Sequence, residues 1–545
     1  MIRSLVILLL CSAGAQAAPP TLTHLFPAGG VRGSKVIVTC SGTFSWADIK
    51  IWSPGIKATP LKDSGKLELE IPGNLATDRF WLRLYNSEGA SAVVPFLVGD
   101  IPEINETEPN NKPADTKPVS LPVLINGALT KGEVDGFTVN IKKGQTLVAA
   151  LDANNRLGSP MDAVLQVVSP AGKVVAENHD DLGLDPRLGY TAKADGNHIV
   201  RVFAFPSAPD SNIGFFGNAT SVYRLTLTTG PYATHAIPLA VPAGQTATVE
   251  PRGWNIPMGS KAQVTNPPIT APAEHSEGEG LSLPAGTRAC RVTLSGIAGQ
   301  ATVWSTPLPT SILLGKGPEA LSIPGAVTGQ LTVPLQRNAH TVAMKKGQRL
   351  LVMVQGRSLG SIIDPVIRWI DPMGKVVTEV DDSGSNPDPT LTVAASVDGN
   401  YTLQVTDRFG HGGDKYRYLL TVRQEPVEFQ LDASADSVVT TKDKPGELTV
   451  KIARKGPVGP ITIKAEGLPA GVTAPETVSD TKGPTATSVT LKFTTDGKPY
   501  SGPITIVGRA ATPAPLSSVA HVPARMGVEL EIIWLTSVAP ASGKK

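Results

Sequence analysis

A segment of about 80 residues occurs twice in this chain, at an offset of about 203 residues. The two copies share turn motifs in the same order: Lys142-Lys-Gly-Gln145 with Lys345-Lys-Gly-Gln348, Gly172-Lys-Val-Val175 with Gly374-Lys-Val-Val377, and Asp195-Gly-Asn197 with Asp398-Gly-Asn400. Divergent copies of one polar turn set are typical of a series of structural modules, and an enzyme rarely needs them. The duplication therefore predicts an array of binding or spacer modules.

The length and charge of the chain narrow this prediction. A chain of 545 residues is too long for one core and predicts about three to five domains. Charged residues make up 18% of the chain, and the formal net charge is only +2. Such a balanced charge gives no electrostatic reason to expect nucleic acid or an anionic membrane surface as a partner.

The first 17 residues have the pattern of a secretory signal peptide. Arg3 precedes an apolar run at residues 5–10, and Ala15-Gln-Ala17 fits the cleavage site of such peptides. The apolar run is too short to span a bilayer, and no later segment is long enough. We therefore expect a secreted, periplasmic or cell-surface protein with a signal peptide at 1–17 and no transmembrane segment.

Two cysteines, Cys40 and Cys290, remain after the leader is removed. They lie in different candidate domains and do not make a disulfide framework. Both sit in strand-like runs, which favours two separate buried thiols over a bridge.

Apolar and polar residues alternate throughout the chain, and Gly-containing turn signals interrupt them at short intervals. This pattern is typical of β-sandwiches or barrels. We therefore predict an all-β fold, a tandem array of β-sandwich domains of Ig-like and jelly-roll-like type. The predicted boundaries give domains at 18–99, 100–230, 231–318, 319–424 and 425–545.

The first repeat resembles the bacterial pre-peptidase C-terminal domain. The residues that carry this resemblance are Glu106-Thr-Glu-Pro-Asn-Asn111, Asp135-Gly-Phe137, Gly144, Asp162, Gly172-Lys173, Asp180-Asp181 and Asp195-Gly196. The second repeat resembles the same domain but lacks the Glu-x-Glu-Pro-Asn opening. This family is related to the collagen-binding domains of clostridial collagenases, and its β-sandwich is appended to secreted bacterial proteins.

The flanking segments resemble immunoglobulin-like domains. Residues 18–99 are similar to the transcription-factor and plexin type found in bacterial surface proteins, and 231–318 form a divergent spacer of the same kind. Residues 425–545 are similar to bacterial Ig-like domains with a Gly-Leu-Pro-x-Gly-Val turn.

An acidic and amide-rich linker before the first repeat is the main candidate for a binding site. Glu106, Glu108 and Asn110 alternate along an extended segment and should project to one side, and Glu133 and Asp135 share this spacing. Two such oxygen-rich edges could supply the six to eight hard ligands that Ca²⁺ prefers.

The resemblance assigns calcium chelation to this linker, with the ligand set Glu106, Glu108, Asn110, Asn111, Glu133 and Asp135. Asn111 departs from the relatives, which often have Asp there, and the lost charge would weaken the site. The alternative is an acidic, solvated linker that ends in an Asx-type turn. The stretch from Ser322 to His340 contains no acidic residue, so calcium is expected at the first repeat and not at the second.

No residue pattern indicates catalysis. Gly356-Arg-Ser-Leu-Gly360 fits G-x-S-x-G, but no helix is predicted after it, as a nucleophile elbow requires. The pairs Asp180-Asp181 and Asp381-Asp382 indicate hairpin turns, with a second ion site as the alternative.

We therefore expect a non-catalytic binding, adhesion or spacer protein whose repeats bind an extracellular polysaccharide or partner protein. A secreted hydrolase, either a protease or a glycosidase with an unrecognised active site, is the alternative.

Overall fold

The computed structural model describes residues 18–540 except 76, 209–213, 265–273, 277–286, 293–295, 315–318, 385 and 524–527. This described part is β-structure, with one four-residue α-helix at Asn154–Leu157 and short 3-10 helices at Trp46–Asp48 and Arg357–Leu359. The predicted all-β array of sandwiches is therefore confirmed. The predicted signal peptide at 1–17 lies outside the described residues. No helix in the described part is both long and apolar enough to cross a membrane.

The first module is a sandwich of two four-stranded sheets. In order, the sheets are His24–Phe26, Lys35–Ser41, Lys66–Glu70 and Lys57–Pro60, and Gly29–Val31, Val94–Gly99, Arg79–Tyr85 and Lys50–Trp52. Alternation along Lys66–Glu70 places Leu67 and Leu69 in the core between the sheets.

The first repeat packs a five-stranded sheet on a four-stranded one. The first sheet has the order Arg187–Thr191, Thr146–Asp152, Val222–Thr228, Val123–Ala128 and Glu103–Asn105. The second has the order Asp135–Ile141, Gly196–Pro206, Met161–Val168 and Val174–Asn178. Inward-facing residues from both sheets form one apolar core.

The second repeat has the same strand order, with one further short strand, Glu319–Ala320, at the edge of its second sheet. Its sheets are Thr390–Ala394, Arg349–Gln355, Arg417–Gln424, Gly325–Gln330 and Thr310–Leu314, and Glu319–Ala320, Asn338–Met344, Gly399–Asp407, Pro365–Ile370 and Val376–Val380. Thr310–Leu314 pairs in parallel with Gly325–Gln330. The sheet of this repeat therefore begins before the boundary predicted at residue 319.

The remaining strands form the second spacer and the last module. The spacer sheets are Ala262–Val264, Ala247–Trp254, Tyr232–Ile237 and Ala298–Gly299, and Ala240–Pro242, Ala301–Thr306 and Arg288–Val292. The last module contains Glu428–Ala433, Ser437–Thr441, Gly446–Lys455, Ile461–Glu466, Val472–Thr473, Thr477–Ser479, Ser488–Thr495, Tyr500–Ala510, Leu516–Pro523, Val528–Leu530 and Ile533–Val538. Glu274–Ser276 of the spacer pairs with Val528–Leu530 of the last module.

The first module also packs against the last one, so the array is not extended. All inner positions of the strand Arg79–Tyr85 are buried. Phe80 and Leu82 face the core of their own module, whereas Trp81 belongs to the apolar core of the last module. A strand buried on both faces loses the usual alternation.

A buried ion pair joins the same two modules. Arg83 is 2% exposed and pairs with Asp436 of the last module. Its guanidinium lies 5.4 Å from the centre of the Trp534 ring, and Trp52 and Tyr85 contact the same ring at centroid distances of 6.0 and 4.8 Å. These contacts bring the two ends of the described chain together.

The two cysteines lie in separate modules and form no disulfide. Cys40 and Cys290 are both buried, as expected from their strand positions. Burial raises the pKa of the Cys40 thiol to about 12, so this thiol is not a reactive one.

Candidate functional site

Three carboxylates meet where the linker enters the first repeat. Glu106, Glu108 and Asp135 each offer an oxygen, and these oxygens all lie within 4.8 Å of one another. Among the described residues, these three are the acidic, histidine or cysteine side chains that lie close enough together to hold a metal ion. The structure thus brings together two predicted linker residues and one residue from the sandwich.

Glu106 is positioned by the strand that precedes it. Glu103–Asn105 pairs in parallel with Val123–Ala128. The backbone N–H of Glu106 donates to the carbonyl of Asn126 at 2.9 Å, and Glu106 Oε1 accepts the N–H of Ala128 at 2.7 Å. The carboxylate is therefore held at the edge of the sheet beside the first residue of Asp135–Ile141.

Tyr223 lies beneath this cluster and was not foreseen as a site residue. Its hydroxyl is 2.9 Å from Glu106 Oε2 and 2.5 Å from Asp135 Oδ2. The ring lies over Gly127 on the neighbouring strand, where an added Cβ would be 2.2 Å from Tyr223 Cζ. Glycine is therefore required at 127. The sequence signal was present, because a Gly and a Tyr recur at the matching positions of the second repeat.

Two buried side chains at this site carry polar atoms that have no hydrogen-bond partner. Asn110 is 3% exposed, and both its Oδ1 and its Nδ2 are unpartnered. Asp135 is fully buried, and its Oδ1 is likewise unpartnered. Backbone hydrogen bonds place the two residues side by side, because Gly136 N–H donates to the Asn110 carbonyl at 3.1 Å. A buried oxygen without a partner is unfavourable by about 1–3 kcal/mol, so these oxygens favour a bound cation.

The other two predicted ligands, Asn111 and Glu133, contact each other. Asn111 Nδ2 lies 3.4 Å from Glu133 Oε2. Glu133 Oε1 also accepts the Thr130 hydroxyl at 2.8 Å and so holds the turn before Asp135. The structure therefore places these residues in a supporting pair, and the unpartnered oxygens belong to Asn110 and Asp135.

The crowded carboxylates change each other's ionisation. Burial, followed by the nearby charge of Glu106, raises the pKa of Asp135 to about 9. Burial also raises the pKa of Glu106 and that of the Tyr223 hydroxyl. A divalent cation would offset this repulsion and favour the ionised carboxylates. The donor set, all oxygen, suits a hard cation such as Ca²⁺.

The second repeat has the same strand arrangement but lacks the carboxylates at the positions that match Glu106 and Asp135. Tyr418 lies over Gly329 as Tyr223 lies over Gly127. Asn338 stands at the position of Asp135 and donates to the Tyr418 hydroxyl at 2.8 Å. Leu313, which pairs opposite Gly329, takes the position of Glu106 and is buried in the core.

The link that follows is also shorter in the second repeat. Val119 and Leu321 make the same backbone hydrogen bond to the next strand, to Thr138 and Thr341. The link from Leu313 to Leu321 is five residues shorter than the link from Glu106 to Val119. The segment that carries Glu108 and Asn110 in the first repeat thus has no full-length counterpart.

The paired aspartates lie on hairpins, as predicted for turns. Asp181 bridges Arg187 of its own repeat at 2.7 Å and Lys415 of the second repeat at 2.8 Å. Asp381 forms an ion pair with Arg408. Asp181 therefore joins the two repeats.

The G-x-S-x-G match is part of a turn. Asp388 accepts the backbone N–H groups of Gly356, Arg357 and Ser358 at 2.9–3.0 Å. Its carboxylate also accepts the Ser358 hydroxyl at 2.6 Å. Asp185 makes the corresponding backbone bonds in the first repeat, so the feature is structural in both copies.

Comparison with known proteins gives limited matches. No family model matches the chain. A probable subtilase-type serine protease of Deinococcus radiodurans is 29% identical over 106 residues, which cover 19% of this chain and 15% of the protease. The chain thus spans only a small part of that protease's length.

The matched solved structures are also distant in sequence. The pre-peptidase C-terminal domain of a Bacillus anthracis collagenase is 16% identical, and the match covers 22% of this chain and all of that domain, with a TM-score of 0.17. The four N-terminal Ig domains of Dscam1 are 11% identical, and the match covers 95% of this chain and 98% of theirs, with a TM-score of 0.18. At these TM-scores the two matches carry no conclusion about the fold or the ligand of this chain.

Proposed function

We propose that this protein is a secreted, non-catalytic binding or adhesion protein whose first repeat binds Ca²⁺ at its linker. The observation that supports calcium is the pair of buried, unpartnered oxygens, Asp135 Oδ1 and Asn110 Oδ1, beside two further carboxylates. The repeats themselves bind an extracellular polysaccharide or partner protein. The leader-like segment at 1–17 supports secretion or retention at the cell surface.

Calcium would tie the linker to the sandwich. Glu106 and Glu108 belong to the linker, whereas Asp135 begins a strand of the sandwich. An ion held by all three resists any movement that separates these elements. The first module also contacts the repeat directly, because Arg224 of the repeat pairs with Glu103 at 2.7 Å and lies against Gly29. Calcium would thus set the orientation of the first module on the first repeat.

Calorimetric titration of the mature chain with Ca²⁺ tests the proposal. We expect one site, lost or weakened at least tenfold in Glu108→Gln and unchanged in Glu476→Gln, which removes an exposed carboxylate of the last module. An affinity in the range of extracellular modules corresponds to a Kd of about 10⁻⁴–10⁻³ M. No calcium heat in the wild type, or an equal loss in both variants, would contradict the proposal.

The alternative function is a secreted hydrolase. The partial match to a probable serine protease keeps this alternative open. Asp135 is fully buried, so this carboxylate is in a poor position for attack on a polymer. Incubation of the mature protein with casein, gelatin and a set of polysaccharides separates the two functions. Turnover that one point mutation abolishes would replace binding by hydrolysis.

A further inference from the structure

The two repeats and the second spacer meet around Asp181. This carboxylate of the first repeat pairs with Arg187 at 2.7 Å and with Lys415 of the second repeat at 2.8 Å. The Lys415 ammonium also lies 5.7 Å from the centre of the Trp254 ring of the spacer. Three modules therefore contribute to this junction, and two cations already share the Asp181 carboxylate.

A third cation, Arg417 of the second repeat, is buried at this junction without a counter-charge. Arg417 is 4% exposed. Its Nη2 donates to the Gly360 carbonyl at 3.1 Å, and its Nε has no hydrogen-bond partner. Among the described residues, Arg417 forms no ion pair with a carboxylate. A buried guanidinium without an anion is unfavourable, because nothing offsets its loss of hydration.

The Arg417 guanidinium lies beside the first repeat. Gly360, which accepts its hydrogen bond, abuts Leu182 of the first repeat, because an added Cβ at 360 would be 2.9 Å from Leu182 Cδ1. Burial, followed by the nearby charge of Arg187, lowers the pKa of Arg417 to about 10. The two guanidiniums are therefore close enough to repel each other across the contact between the repeats.

A spacer histidine is subject to the same surplus of positive charge. Burial, followed by the charges of Arg417, Arg252 and Arg187, lowers the pKa of His235 to about 2. The imidazole is therefore neutral at ordinary pH and adds no charge of its own. Arg252 has a carboxylate partner in Glu250, at 2.7 Å, whereas Arg417 has none among the described residues.

The strand itself does not require an arginine at 417. Arg417 directly precedes Tyr418, so its counterpart in the first repeat is Val222, which directly precedes Tyr223. Val222 packs in an apolar cluster with Leu97 of the first module. The same strand position thus serves an apolar contact in one repeat and carries a buried charge in the other.

We propose that a small oxyanion of the sulfate or phosphate type binds between Arg417 and Arg187 and joins the two repeats. Among the described residues, the Arg187 guanidinium donates to Asp181 through Nε alone, so its Nη donors are free. A tetrahedral anion offers several acceptor oxygens and can accept from both guanidiniums at once. The ligand is a free ion, because a charged group on a polymer cannot reach donors this shielded without separating the modules.

Calorimetric titration of the mature chain with sodium sulfate, in a low-chloride buffer that contains EDTA, tests the proposal. We expect one saturable site in the wild type, weakened at least tenfold in Arg417→Met. Arg368→Met is the matched control and should bind sulfate as the wild type does, because it removes the same charge from the same repeat at a pair with Glu379. Sodium phosphate should bind at the same site, and sodium chloride at equal ionic strength should not.

A second variant decides the matter if Arg417→Met does not fold. Arg187→Lys keeps a cation beside Asp181 but loses the Nη donors, and it should weaken sulfate binding at least threefold. The proposal is overturned if the wild type gives no saturable heat with sulfate, if the junction variants keep the wild-type affinity, or if Arg368→Met loses as much. Binding of dextran sulfate without binding of inorganic sulfate would also overturn it. The EDTA keeps calcium away, so this result is independent of the proposed calcium site.

Discussion

The two repeats share one strand arrangement but differ in the charges around a buried tyrosine hydroxyl. Both place a tyrosine over a glycine, at Tyr223 and Gly127 and at Tyr418 and Gly329. The first repeat surrounds the hydroxyl with carboxylates, whereas the second supplies Asn338 and an apolar Leu313. The sandwich therefore does not need the charges to fold. The carboxylates and the longer link occur in the first repeat only and are not part of the shared strand arrangement. This difference supports a binding role for them.

The largest effect on stability is expected when a carboxylate is placed at the matching position of the second repeat. Leu313→Glu should destabilise the second repeat by at least about 3 kcal/mol, because Leu313 is 2% exposed and Asn338 brings no charge to pair with a cation. Urea unfolding measures this. Leu313→Met is the control and should cost below about 1.5 kcal/mol. Equal effects of the two substitutions would show that Leu313 is not in a closed core.

The repeats should also differ in their response to acid. The second repeat buries His340 where the first has Phe137, and burial lowers the pKa of His340 to about 4. The unfolded chain binds this proton near pH 6.5, so stability is complete above pH 6.5 and falls as the pH drops towards 4. The loss should reach about 3 kcal/mol.

His340→Phe should remove this part of the acid dependence, because the first repeat accepts Phe at the same strand position. Urea unfolding of both proteins between pH 4 and pH 7.5 decides it. Identical pH profiles would show that folding does not shift the pKa of His340.

Replacement of Glu106 by leucine, the residue at the matching position of the second repeat, should abolish the calcium response of the first repeat. Glu106→Leu should eliminate a calcium-dependent gain of about 1 kcal/mol at free calcium several-fold above Kd. Stability in EDTA should change little, because relief of the crowded carboxylates offsets the loss of the hydrogen bond from the Ala128 N–H. Differential scanning calorimetry with and without calcium measures both. A calcium response that survives the substitution would place the ion elsewhere.

The smallest effect concerns the bridge between the repeats. Lys415→Met removes one ion pair to Asp181, and Lys415 is about half exposed. Asp181 is nearly buried but keeps its pair with Arg187, so we expect a loss of about 0.5 kcal/mol in thermal unfolding. Lys345→Met, which removes the exposed pair with Asp398, is the control within the second repeat. A loss above about 2 kcal/mol would show that this one pair holds the repeats together.

Much of the fold could be predicted from local sequence. Alternation and turn glycines predicted sandwiches, because burial of one strand face requires a period of two. The linker carboxylates were also visible, since Glu106, Glu108 and Asp135 carry a family-like pattern. Tyr223 was missed because a buried tyrosine in a strand usually signals only packing.

The sequence by itself determined the strand faces, the duplication and the acidic linker, since each depends on residues a few positions apart. Only the tertiary structure decided which distant residues meet. It placed Tyr223 under Glu106, made Leu313 the counterpart of that glutamate, and joined Arg83 to Asp436 across the chain. These contacts depend on strand register and on the packing of whole modules, and local periodicity carries no information on either.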